Sequence, residues 1–228
     1  MKTKRVFIVS KSRPAPDATL RARIVGAGAE LFLSRGFVRV TADEIAGRLG
    51  ISKATLYKSF ASKEAILRAV VREIMNDIAG RVEGMLDDSR LSFVEKLVAL
   101  FAYVGGRISL FGPLLVRDIQ KSAPQIWKEI DSFRHDKILK NFKVILESGR
   151  KEGLFRGDID LDLLLQMFTY LIGEFINPQA LFRSGRSPAE AFESVIKVFF
   201  QGILTEPGRE HFSARTPALF EPRKEGAS

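Results

Sequence analysis

The chain has no cysteine, which removes disulfides, thiolate metal sites and cysteine nucleophiles from consideration. Histidine is nearly absent as well, at two residues, and His135 falls in the charged run FRHDK, where it reads as a surface residue. No segment alternates apolar and polar residues like a half-buried strand, so no strand-turn-helix site for a nucleophile or a phosphate is expected. No catalytic residue, metal ligand set or cofactor is therefore assigned, and an enzyme is not expected. Long apolar runs are missing too. Val6 to Val9 is too short for a signal-peptide core, and nothing approaches the ~20 residues of a membrane span. A cytoplasmic protein with no membrane segment is the expectation.

Acidic residues are scarce in one region only. Residues 1–63 hold 13 Lys or Arg against 4 Asp or Glu, whereas residues 64–228 hold 23 of each. The whole net charge of +9 thus lies in the first quarter of the chain. A concentrated positive surface releases counterions condensed on a phosphate backbone, so a nucleic acid duplex is the partner it favours. A merely solvated basic segment is the plainer alternative. Residues 1–16 carry Lys2, Lys4, Arg5, Lys11, Arg13 and two prolines. They read as a flexible basic arm, either reaching phosphate or a minor groove or having no role.

What the chain has in quantity is helical pattern. Residues 41–67, TADEIAGRLGISKATLYKSFASKEAIL, read as two short helices and the start of a long one. Thr41 and Glu44 form a capping box, Ile45, Ala46 and Leu49 give an apolar face, and Gly50 supplies a left-handed stop. Ser52 caps the next helix, in which Leu56 and Phe60 turn inward four residues apart. Lys53, Thr55 and Lys58 then face outward, with Tyr57 at the edge. Helices this short need a third to pack on, here residues 17–35 with Leu20, Ile24, Ala27 and Leu31 on one stripe. This is the pattern of a helix-turn-helix that reads DNA.

Six further helices are expected beyond it. One opens at Ser62 and runs to about Leu86, and another opens at the capping box Ser92–Glu95. Gly112-Pro113 starts a shorter helix, and Pro124 starts a long amphipathic one ending near Gly153. The last two span about 161–176 and 188–204, the second opened by Ser187-Pro188-Ala189-Glu190. Residues 207–228 have prolines, charges and no period, and are expected to be a disordered tail. The fold class is all-α, with about nine helices.

From Gly36 to Leu67, GFVRVTADEIAGRLGISKATLYKSFASKEAIL resembles the TetR family of bacterial transcriptional regulators. The resemblance rests on the glycine-to-threonine spacing, the isoleucine-alanine pair, the turn, the Leu-Tyr-x-x-Phe core and the Ser-Lys-Glu start of the next helix. Ser59 departs from it, since the family often has histidine there. The resemblance implies an N-terminal three-helix DNA-binding domain (17–63) and a larger helical ligand-binding and dimerisation domain (64–206). It implies phosphate contacts from Thr41, Tyr57 and Lys63. It also implies base-edge or phosphate contacts from Lys53, Thr55 and Lys58, with Ser52 capping and touching the backbone. The plainer role for Thr41 is capping alone, and for Tyr57 it is packing.

The expected function is a homodimeric, ligand-responsive repressor on a near-palindromic double-stranded operator, paired through about 161–176 and 188–204. Its effector would be a small molecule bound among apolar helices, with Tyr103, Phe111, Trp127, Met167, Tyr170 and Glu174 as candidate pocket residues. Two alternatives stay open: a nonspecific DNA binder, and a ligand or protein-interaction module without operator binding. Two motifs are read as decoys. IVGAGAEL, with Gly26 and Gly28, lacks the third glycine and the strand of a dinucleotide site. GDIDLD lacks the glycine and distal glutamate of a calcium loop and is better explained by capping and turn formation.

Overall fold

The computed structural model describes residues 16–108, 110–175, 180 and 183–215. Ten helices are bounded among them: α1 (Pro16–Arg35), α2 (Ala42–Leu49), α3 (Lys53–Ser59), α4 (Lys63–Asp87), α5 (Phe93–Ile108), α6 (Pro113–Ser122), α7 (Pro124–Lys151), α8 (Leu161–Phe175), α9 (Pro188–Ile203) and α10 (Glu206–Arg215). No strand is formed among the described residues, only an isolated antiparallel bridge between Phe155 and Leu204. No described helix is long and apolar enough to cross a membrane. The fold is all-α with an N-terminal helix-turn-helix, and the caps read at the starts of α2, α3, α4, α5 and α9 are made. The Thr41–Glu44 and Ser187–Glu190 capping boxes are both closed, and Ser92 and Glu95 exchange bonds of the same kind.

Two cores are built. In the head, α2 and α3, at 8 and 7 residues, are too short to persist alone. They bury Ile45, Leu56 and Phe60 against Ile24 and Phe32 of α1 and Ile66 of α4. Truncating a fully buried leucine such as Leu56 to alanine removes about 2–5 kcal/mol. Gly28 has a packing role here: a Cβ on it would meet Ile66 Cγ2 at 2.8 Å, so the glycine lets α1 lie close on α4. The second core fills the body, where Phe200 is ringed by Phe101, Phe142, Phe155 and Phe199 at centroid distances of 4.8–6.0 Å.

Packing does not follow the expected boundary at residue 63. Leu115 and Ile119 of α6, and Ile126 at the start of α7, belong to the head core. The expected tail also differs from the observed chain. α10 occupies its first part, and Phe212 is buried against the body core. The proline that suggested disorder sits in the first turn, where a missing amide costs nothing. Thr205 caps that turn, accepting from Gly208 N at 3.2 Å, and its own amide donates to Leu154 O at 3.0 Å. The expected arm, apart from Pro16, and residues 216–228 of the tail lie outside the described residues.

Candidate functional site

The outward face of the head is set by caps. Glu44 N donates to Thr41 Oγ1 at 3.2 Å, and Thr41 N donates to Glu44 Oε2 at 2.7 Å. These bonds, from the Thr41 amide and then its hydroxyl, hold the Glu44 carboxyl below its ordinary pKa. α2 stops at Gly50 in the left-handed region, with φ 66°. Ser52 then caps α3 by accepting from Thr55 N at 3.1 Å. With Leu56 and Phe60 buried, Lys53, Tyr57 and Lys58 are exposed and Thr55 is half-buried. Lys53 Nζ donates to Asp43 Oδ2 at 2.8 Å, and this bond raises its pKa. The pair is exposed, so the lysine is easily drawn away by a stronger anion. Lys58 makes no ion pair among the described residues. Thr55 and Ser52 hydroxyls lie 2.9 Å apart.

Lys63, expected on phosphate, is engaged within the head. Its ammonium donates to Val40 O at 2.7 Å and Phe37 O at 2.9 Å, with Val38 O at 3.5 Å, and lies 4.4 Å from the Phe37 ring centroid. All three donors of the ammonium are thus directed at the α1–α2 loop. Partial burial pushes its pKa down, opposed by the nearby Asp118 and Glu44 carboxylates. Lys63 stands where the start of α4 meets a turn distant in sequence, which a local reading of Ser-Lys-Glu does not reveal.

Two arginines of α1 were not singled out from the sequence. Arg21 donates to the Ser59 carbonyl at the end of α3 and lies 4.1 Å from the Phe60 ring centroid. Arg23 reaches the Leu49 carbonyl at the end of α2 at 3.4 Å. A cation at a helix C-terminus offsets the orphan carbonyls there. Part of the basic excess of the head therefore holds the helix-turn-helix together.

The α1–α2 loop is clamped from the far side by α6. Asp118, 6% exposed, is the buried charged residue among those described, and its Oδ2 accepts from Val38 N at 3.0 Å. Gly36 in that loop has φ 82°, and a Cβ on it would meet Asp118 Oδ2 at 2.7 Å and Leu114 Cγ at 3.0 Å. The close approach and the positive φ both require glycine.

Behind α6 lies a cavity of about 250 Å³ enclosed by α4, α5, α6, α7, α8 and α9. Of the six candidate pocket residues, Phe111 and Trp127 line it and the others do not. Tyr103 turns aside, donating to Asp77 Oδ2 at 2.6 Å. Met167 and Tyr170 are 47% and 69% exposed, because they lie on the outer stripe of α8. Tyr170 and Glu174 border a second, more polar cleft with Asp131, Arg134 and His135. The inner face of α8 instead offers Phe168 and Ile172 to the cavity. In GDIDLD, Asp158 pairs with Arg156 at 2.6 Å and Asp160 accepts from Leu163 N at 2.8 Å, which is turn and cap formation.

The family model described as bacterial regulatory proteins, tetR family, matches residues 24–70. The HTH-type transcriptional repressor KstR2 of Mycolicibacterium smegmatis is 30% identical over 156 residues, covering 66% of this chain and 75% of that protein. The TetR-family protein CprB of Streptomyces coelicolor, solved in complex with its biological operator sequence, superposes with a TM-score of 0.60. It is 22% identical, covering 88% of this chain and 96% of that one. A proposed transcriptional regulator from Saccharomonospora viridis, solved in complex with choline, gives a TM-score of 0.60 at 20% identity, covering 83% of this chain and all of that one.

Proposed function

Since the chain belongs to the TetR family of bacterial regulatory proteins, we propose that it is a homodimeric repressor released from a near-palindromic operator by a small molecule. That it is a DNA-binding transcriptional regulator follows from the family and the helix-turn-helix together. The repressor sense is supported by KstR2, named a repressor. Operator binding and ligand binding are properties of the CprB and S. viridis proteins respectively.

The observation that carries the release step is the double engagement of α6. Val116 and Ile119 wall the cavity, while Asp118, on the same helix, holds the Val38 amide of the loop entering α2. An occupant that displaces α6 therefore moves the reading head. Only a difference in affinity between two shapes is needed, typically about 1–3 kcal/mol. On the DNA side, Lys53, Thr55 and Lys58 are the side chains proposed to reach base edges or phosphates, with Tyr57 and Thr41 on phosphate.

A dimer is supported by the outer stripe of α8 and α9. Leu163, Met167 and Tyr170 recur at helical spacing, and Val198 of α9, the helix packed on α8, is 71% exposed. Exposed apolar side chains grouped in this way mark a partner surface, and a two-fold dimer presents the same patch twice. Its two heads would meet half-sites about one helical turn, roughly 34–36 Å, or a little more apart.

The test is binding to duplexes from the protein's own upstream region against random duplex at roughly 0.15 M salt. A preference of about a thousandfold or more for one inverted repeat, lost on adding a ligand, is the expected result. Equal, weak and steeply salt-dependent binding to both, repeated after selection from random sequence, would replace the repressor with a generic DNA clamp.

A further inference from the structure

The polar groups of the central cavity are few and of one kind. Its walls are aliphatic and aromatic except for Arg134, Lys137 and Asn141. All three lie on α7 at spacings of three and four residues, so they form one row on one helix face. Among the described residues no acidic side chain lines the cavity. The acids that engage the cations stand outside the lining: Asp131 pairs with Arg134 at 2.6 Å, and Glu83 pairs with Lys137 at 2.8 Å. Both acids are exposed at their outer ends, so water can solvate them if the cations turn inward, and exchange for another carboxylate is inexpensive. Arg134 also lies 5.9 Å from the Trp127 ring, itself part of the wall. From the cavity side the row offers donors alone, so the occupant it favours is one that brings its own anionic acceptor.

Building on the effector reading above, we infer that the cavity takes an organic acid with an apolar body, its carboxylate held at the Arg134–Lys137–Asn141 row. The two carboxylate oxygens accept from the guanidinium and the ammonium, with the Asn141 amide as a neutral third partner. The apolar body fills the space toward Val104, Phe168 and Ile172. A neutral amphiphile of the same shape would gain neither charge-assisted bond, leaving Arg134 with Asp131 and Lys137 with Glu83, and a cationic one would be repelled.

Trp127 is the single tryptophan of the chain and a cavity wall, so its emission reports occupancy without a label. The full-length protein is titrated with decanoate, decanol and decyltrimethylammonium at neutral pH, each below its micellar range. Decanoate is expected to bind about tenfold or more tightly than decanol, the advantage of hydrogen bonds to charged groups, and the ammonium least. Octanoate should bind about tenfold more weakly than decanoate if the tail is buried. In the Arg134→Gln and Lys137→Gln double variant, the ratio of decanoate to decanol affinity should fall toward one. Because this ratio is taken within one sample, loss of fold, which abolishes both affinities, is told apart from loss of selectivity, and the wild-type series stands without the variant.

Equal or tighter binding of decanol or the ammonium overturns the inference, as does no binding of any probe or an unchanged ratio in a folded double variant. Operator binding is measured separately on the same protein. A specific operator with no acid preference would sink the ligand class and leave the regulator, whereas absence of any specific duplex binding would sink the regulator reading itself.

Discussion

Removing the Asp118 carboxylate should loosen the head through the bond it makes to the α1–α2 loop. In Asp118→Ala the Val38 amide, held at 3.0 Å, loses its acceptor. A hydrogen bond to a charged group contributes about 1.5–3 kcal/mol. Val38 is itself exposed, so water recovers part of this, and a loss of about 1.5–2 kcal/mol is expected. Asp118→Asn keeps a carbonyl oxygen for the amide and should lose less, about 0.5–1 kcal/mol, as the bond becomes neutral. Gly36→Ala supplies the second leg of a cycle. It costs about 1–2 kcal/mol for the left-handed backbone, plus the collision of its Cβ with Asp118 Oδ2 at 2.7 Å and Leu114 Cγ at 3.0 Å. With alanine at 118 the first collision disappears, so the double variant should be at least about 0.5 kcal/mol more stable than the sum of the singles predicts. Urea unfolding of the four proteins at one concentration measures this, since a dimer's midpoint shifts with concentration. Strict additivity, or an Asp118→Ala loss under about 0.5 kcal/mol, would refute the clamp, being no more than an ordinary surface change.

Four other outcomes are expected. Lys63→Met should destabilise the protein by about 1–2 kcal/mol through the Phe37 and Val40 carbonyls, while the salt slope of DNA binding stays at its wild-type value; a slope reduced by about one unit would return Lys63 to the phosphate contacts. Lys53→Ala and Lys58→Ala should weaken an operator more than random duplex in competition assays, and an equal loss on both would assign them to phosphate alone. Val198→Asp should yield a folded monomer in sedimentation at micromolar concentration, because the side chain touches little within the protomer; a persistent dimer would place the interface elsewhere. Glu44 has a folded pKa below its ordinary 4.5, so its contribution is present above that value and is lost as the pH falls through the folded pKa. Hydrogen exchange at the Thr41 and Glu44 amides should accelerate on acidification beyond the intrinsic trend, and unchanged protection there would count against the capping box.

The helix-turn-helix was legible because its signals are local. Thr41 and Glu44 are three residues apart, Gly50 ends what they begin, and Leu56 with Phe60 fixes one face. What remained hidden depends on distance along the chain. The Val38–Asp118 bond spans 80 residues, and the Lys63 bond to Phe37 spans 26, so neither has a sequence signature. Met167 and Tyr170 show a different limit. α8 is apolar on both sides, so its period establishes a helix without saying which stripe faces the core and which faces away. Of the candidate pocket residues only Phe111 and Trp127 line the cavity, while Arg134 and Lys137 lie in a stretch that reads as a solvated charged face. α10 was missed because Pro207 and its charges look like a tail until Phe212 is seen seated on Phe200, at 6.5 Å between centroids.

The insertion of α6 and the start of α7 into the head core has a consequence for how the protein comes into being. A chain grows from its N-terminus at about 5–20 residues per second, and early domains commonly fold while the rest is still being made. Here the first 63 residues emerge without Leu115, Ile119 and Ile126, which complete the core beneath the helix-turn-helix. The head core is complete only once the middle of the polypeptide has joined it. The ribosome therefore has to deliver α6, one wall of the cavity, before it can release a finished DNA-reading head.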